Sequence, residues 1–196
     1  ETLQCMVERR QGGETGVVSV QCLEDDAVWQ ARDEGLWSTE LATAACDAIQ
    51  NKPGGPMEGH VKDPAVFLVE YADGLKTATL VLSGYVSDFS YSARVDGQVQ
   101  GVEFYLQNEG PFSHFGYLCR NVQDFFRTKI APYPPERTLL TTGIIDAAMN
   151  SRHEDHRKIE TPYLNIAYSS YEKLPQRPCG TRPAGASIDP QAPDII

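Results

Sequence analysis

The chain has 196 residues, 41% of them hydrophobic and 22% charged, a composition that buries roughly 70% of the unfolded surface in a single main domain. Its formal net charge of −10 excludes nucleic acid as a partner, because phosphate neutralisation needs clustered Lys and Arg, and the longest basic-leaning run, Arg152 to Lys158, is broken by Glu154 and Asp155. No window approaches the roughly 20 apolar residues of a membrane helix, and Cys5, Cys22, Cys46, Cys119 and Cys179 show no CxxC or zinc-like spacing, so a reduced, cytoplasmic setting is expected.

Glu1 to Arg10 (ETLQCMVERR) sets Leu3, Met6, Val7 and Arg10 at helical spacing. No Ser, Thr, Asp or Asn precedes it as an N-cap, so the helix is expected to begin within a longer chain. Gly12-Gly13 ends it, and Val17 to Leu23 alternates as a strand with Val18, Val20 and Cys22 on one face. Asp25 to Arg32 reads as a short helix carrying Trp29. Ser38 caps the next helix, whose stripe is Leu41, Ala45, Ala48 and Ile49. Asn51 to Asp63 (NKPGGPMEGHVKD) is a loop.

From Ala65 the period changes to two. Ala65 to Tyr71 is a strand, Asp73-Gly74 a hairpin turn, and Leu75 to Ser83 the return strand, with Ala78, Leu80 and Leu82 opposite Thr77, Thr79 and Val81. Phe89, Tyr91, Ala93 and Val95 alternate with Ser90, Ser92 and Arg94. Asp96-Gly97 repeats the turn, and Val102, Phe104 and Leu106 continue the face expected to be buried. Ser113 opens a helix with a wide apolar stripe of Phe115, Leu118, Cys119, Val122, Phe125 and Phe126. Pro135 stands at the first position of a second helix. Gly143 in its interior costs about 1 kcal/mol relative to Ala, which marks a close approach by another element. Tyr163 to Tyr168 reads as the last strand, and Leu174 to Ile196 as a Pro-rich extension.

The order predicts an α+β fold: a largely antiparallel, open-faced sheet with helices packed on one face. Residues 1–173 form the domain and 174–196 the extension.

The segments LQCMVERRQGGETGV (Leu3 to Val17), VQCLEDDAVW (Val20 to Trp29), ERTLLTTGIIDAAMNSR (Glu136 to Arg152) and IETPYLNIAY (Ile159 to Tyr168), with Phe125-Phe126 before the Pro-rich turn at Ala131 to Pro134, carry a resemblance. The chain resembles the C-terminal domain of the glucose-fructose oxidoreductase, inositol dehydrogenase and rhizopine catabolism (Gfo/Idh/MocA-like) family over most of Glu1 to Tyr171. The resemblance implies a two-domain oxidoreductase acting on a sugar, polyol or related metabolite. An N-terminal Rossmann domain would bind NAD(P), and this domain would supply the substrate wall and a homo-oligomer interface on the open sheet face. The family's catalytic lysine and its acid/base His, in a Gly-x-His turn leading into the first helix, would both lie ahead of Glu1. No catalytic, cofactor-binding or metal residue is therefore carried into this chain. The alternative is a non-catalytic assembly or ligand-binding module of the same fold.

The residues themselves offer few candidates. His114 follows Ser113 at a helix N-terminus, where anions are attracted and an imidazole is held neutral, so it is the substrate-face candidate. It competes with a plain first-turn surface residue. His153-Glu154-Asp155-His156 spaces two His three apart but offers no third ligand, and a solvated turn explains it better. Arg94, Tyr105, Thr77 and Thr79 lie on the half-polar sheet face expected to meet another subunit. Glu8-Arg9-Arg10 and Glu136-Arg137 read as surface pairs worth under about 1 kcal/mol, and Trp29 with Trp37 as a core corner. Gly12-Gly13-x-x-Gly16 follows a helix rather than a strand, the wrong context for a dinucleotide turn.

Overall fold

A computed structural model describes residues 1–104 and 113–171, with only the backbone of Ser113 and His114. The elements are α1 (Thr2–Val7), β1 (Val17–Glu24), α2 (Asp26–Asp33), α3 (Thr39–Asp47), β2 (Ala65–Tyr71), β3 (Lys76–Val81), β4 (Phe89–Val95), β5 (Gln98–Phe104), α4 (Ser113–Thr128), α5 (Pro135–His153) and β6 (Ile159–Glu160), with 3₁₀ turns at Met57–Gly59 and Pro162–Leu164. The chain divides into two compact units, Glu1–Phe104 with Glu136–Ser169, and Tyr105–Pro135 with Ser170–Ile196.

The class is α+β and the strand pairing antiparallel, as the alternating segments predict. Among the described residues the strands nevertheless form two sheets rather than the single sheet expected. One has the order β3-β2-β1-β6, and the other is the β4-β5 ribbon alone. Both hairpins close as their Asp-Gly turns require. Asp96 and Gly97 have φ of 50° and 78°, and Asp73 Oδ1 accepts from the Leu75 amide at 3.2 Å beside Gly74 at φ 86°.

Register decides what each sheet face covers. Val20 stands opposite Val69 and Cys22 opposite Phe67. That face packs with Val7 of α1 and Leu140, Ala147 and Ala148 of α5 in one core cluster. Leu23 opposite Val66, and Gln21 opposite Leu68, belong to the other face. There Val66 joins Val28 and Ala31 of α2, Trp37, and Ala42 and Cys46 of α3. Helices therefore cover the sheet on both faces, a fuller packing than the open-faced arrangement expected. Val18, expected to face inward with Val20, is 40% exposed. A register shift between Val17 and Ser19 turns it out of the alternation.

Tyr163 to Tyr168 is not a strand. The pairing segment is Ile159–Glu160, which runs antiparallel to Ser19 and Val20. Pro162, which has no amide hydrogen to offer a ladder, then opens the 3₁₀ turn, and only Tyr168 returns to pair, in a single bridge with Glu14. The turn drives Leu164 into the core at 2% exposure. A Cβ on Gly143 would collide with its side chain, and a Cβ on Gly16 would lie 2.9 Å from its carbonyl oxygen. The close approach expected at Gly143 is thus made by Leu164. Helix α3 is capped as read, with Ser38 Oγ accepting from the Leu41 amide at 3.3 Å, but its buried face is Ala42, Cys46 and Ile49, one position along from the expected stripe. Among the described residues no helix is long and apolar enough to cross a membrane.

Candidate functional site

The densest chemistry lies under α1. Gln4 and Glu8 stand four residues apart and so share a helical face. That face turns inward, leaving Gln4 3% and Glu8 0% exposed. A buried carboxylate is costly unless it is hydrogen-bonded and paired, and the surrounding elements supply partners. From α5, Arg137 Nε donates to Glu8 Oε2 at 2.9 Å, and from the returning segment Tyr168 OH donates to the same oxygen at 2.7 Å. Gln4 Nε2 donates to Tyr168 OH at 2.9 Å and to Glu14 Oε2 at 2.5 Å, while its Oε1 accepts from Tyr71 OH at 3.0 Å. The network links α1, the segment after it, β2, α5 and Tyr168.

Its inner end is Glu14, 2% exposed. Glu14 Oε1 accepts from the Thr15 and Gly16 amides at 2.9 and 2.8 Å. Arg10 lies 3.5 Å from Glu14 Oε2, donates to Asp73 Oδ2 at 2.7 Å, and stacks 4.9 Å from the centre of the Tyr71 ring. The outer end is Glu1, its side chain 65% exposed. Arg137 Nη1 donates to Glu1 Oε2 at 2.8 Å and Thr141 Oγ1 to Oε1 at 3.2 Å.

The electrostatics follow this wiring. Burial, with Glu14 nearby, pushes the Tyr71 hydroxyl well above its ordinary range. Burial and the hydrogen bond to Glu8 do the same for Tyr168. Both phenols are therefore donors at neutral pH, not bases. At Glu1, partial burial works to raise the carboxyl, but the Arg137 charge and hydrogen bond outweigh it and hold it low. Burial opposes the Arg10 charge, and the Asp73 and Glu14 hydrogen bonds more than restore it. A network so fully partnered does not exchange protons readily. Its chemical consequence is to fix α1 and the Glu1 carboxylate on α5.

This overturns the reading of Glu8-Arg9-Arg10 and Glu136-Arg137 as surface pairs. Glu8 and Arg137, 0% and 7% exposed, form a buried ion pair. A signal was legible: Gln4/Glu8 and Arg137/Thr141 are both i,i+4 pairs, and the latter lies beside Leu140 on the core side of its helix. The glycine run is likewise explained without a ligand. The Thr15 and Gly16 amides, which it would offer to a phosphate, donate to the Glu14 carboxylate instead, and Gly16 is needed for its φ of 98° and for the close approach of Leu164 and Ile166. These residues do not fit a dinucleotide.

The other sequence candidates within the first compact unit lie outside this network. His114 falls in the first turn of α4, as expected, in the second compact unit. His153 ends α5 in the open, while His156, at φ 62°, places Nδ1 3.1 Å from the Cys22 carbonyl oxygen. Among the described residues no group of three His, Cys, Asp or Glu is placed to hold a metal. Arg94 pairs with Glu40 of α3, Thr77 and Thr79 lie on β3, and Tyr105 falls outside the described residues. Trp37 is buried with Nε1 donating to the Val28 carbonyl at 2.9 Å, and Trp29 packs 6.2 Å from it, the core corner expected.

No protein-family model, curated protein or solved structure gives a significant match to the chain.

Proposed function

We propose that the chain is the substrate-binding and oligomerisation half of an NAD(P)-dependent oxidoreductase acting on a sugar, polyol or related metabolite. One observation carries the reading: three of the four stretches on which the resemblance to the Gfo/Idh/MocA-like family rests converge on one network. Gln4, Glu8 and Glu14 come from the first of them, Arg137 and Thr141 from the third and Tyr168 from the last.

The network's outer end suits the substrate class. A hydroxyl donates to a carboxylate and accepts from a guanidinium or hydroxyl group, and Glu1, Arg137 and Thr141 stand together there. By the resemblance, the acid/base His belongs at the same helix end. The dinucleotide is assigned to a domain outside these residues, since the glycine run here is filled by Glu14. Hydride transfer would then occur between nicotinamide and a carbinol carbon at the junction of the two domains.

Reading the coding sequence upstream of Glu1 tests this. A βαβ unit with a glycine turn, a junction lysine and a Gly-x-His turn is expected. A start codon directly ahead of Glu1 would remove the oxidoreductase and leave an assembly or ligand-binding module.

A further inference from the structure

Helix α4 is turned inside out for a helix of an isolated chain. Its buried positions are polar, with Tyr117 and Asn121 each 8% exposed. Its apolar positions face outward: Phe115 is 58%, Leu118 55%, Val122 44%, Phe125 41% and Phe126 76% exposed. Ile130, two residues past the helix, is 73% exposed. At 100° per residue the five helical positions fall within one arc about 100° wide. No other position of the helix falls within that arc, which therefore carries no charge, and Cys119, also exposed, lies just beyond one edge. Arg120 and Asp124 lie on the opposite side.

We infer that this stripe is where a second copy of the chain docks, α4 against α4 across a twofold axis. The area is of the size that docking a copy needs. From the exposures, the three phenylalanines and three aliphatic side chains present about 550 Å² of apolar surface. That is at the upper limit of what a monomer's largest patch shows. With a polar rim around it, an apolar area of this size suits an interface of the standard size, about 800 Å² per partner. Self-docking also suits the charge. Two chains of net charge −10 repel over most approaches, and an uncharged stripe meeting its own copy sets no like charges opposite each other. The side-chain sizes suit a helix crossing: Val122 lies at the centre with Phe115 at one end and Phe125 and Phe126 at the other, so the backbones approach closely at the middle and the rings close around it.

The surface differs from the sheet face of Thr77, Thr79 and Arg94 expected from the sequence. Of these Arg94 is engaged with Glu40. The inference stands apart from the oxidoreductase reading, since it needs no substrate or cofactor. Light scattering on the 196-residue chain tests it, together with Val122→Asp, Phe126→Ser and, as a control on the partly exposed β4–β5 ribbon, Phe89→Ser. The wild type and Phe89→Ser are expected at twice 21.7 kDa across micromolar concentrations, and the two α4 variants at the monomer mass. Phe126 is mostly exposed, so Phe126→Ser keeps the test open should Val122→Asp lose helicity by circular dichroism. A wild-type chain that stays monomeric would overturn the inference. So would folded α4 variants that still dimerise, or a dimer lost only in Phe89→Ser.

Discussion

Replacing Arg137 with Met separates a buried ion pair from a surface one. Met keeps most of the aliphatic stem and removes the guanidinium that donates to Glu8 at 2.9 Å and to Glu1 at 2.8 Å. Glu8, 0% exposed, then keeps Tyr168 at 2.7 Å and Arg9 at 3.4 Å but loses its closest cation. Removing one partner of such a pair costs about 3–5 kcal/mol, because the remaining charge stays desolvated. For a chain of this size each kcal/mol moves the melting temperature by about 2–4 °C, so a fall of about 6–20 °C is expected. Calorimetry of Arg137→Met, Glu8→Gln and the double variant measures it. The double variant should be more stable than the summed single losses allow, since Gln carries no charge to strand. A single-variant loss under about 1 kcal/mol is what a surface pair gives. That result, or strict additivity, would refute the buried pair as the link between α1 and α5.

Gly143→Ala gains about 1 kcal/mol of helix propensity but sets a methyl group against Leu164, so a net loss of about 1–3 kcal/mol is expected. Denaturant melts should show the loss relieved in Gly143→Ala/Leu164→Ala, and a stabilised single variant would contradict the packing. The raised phenols of Tyr71 and Tyr168 hold their protons more tightly folded than unfolded. Their contribution is therefore full below about pH 10 and is lost as pH rises past it. In an alkaline titration, two of the nine tyrosines should ionise only with loss of the far-ultraviolet dichroism; all nine ionising in a native chain would refute this. Burial raises the Cys22 and Cys46 thiols, so a thiol reagent should label exposed Cys119 ahead of those two, which react only on unfolding. Equal rates in the native chain would contradict it.

What the sequence made legible was local. Asp73-Gly74 and Asp96-Gly97 announce their hairpins because few residues accept positive φ. Ser38 and Pro135 mark helix starts because their chemistry suits those positions alone. Pairing between distant segments left no such mark. Nothing in Val17 to Leu23 says that β1 lies between β2 and β6, which is why a single sheet was expected where the described strands form two. The ribbon misled for a related reason. Phe89, Tyr91, Ala93 and Val95 form its apolar side, yet α3 sits on the other: Ser92 Oγ donates to the Leu41 carbonyl oxygen at 2.6 Å. There Gly101 also lets the Ala44 backbone come close. Alternation identifies two faces, and only packing decides which one a helix covers. The network was half legible. Paired polar residues at i,i+4 on Gln4/Glu8 and Arg137/Thr141 were visible, but their mutual satisfaction depends on a fold that brings residue 8 to residue 137.

The most direct test is hydride transfer by the protein made from its complete reading frame. Purified with NAD⁺ or NADP⁺, it should reduce the nicotinamide with at least one member of a sugar and polyol panel, and Thr141→Ala should raise the KM more than it lowers kcat. A folded protein that binds no dinucleotide and oxidises nothing in the panel would contradict the assignment.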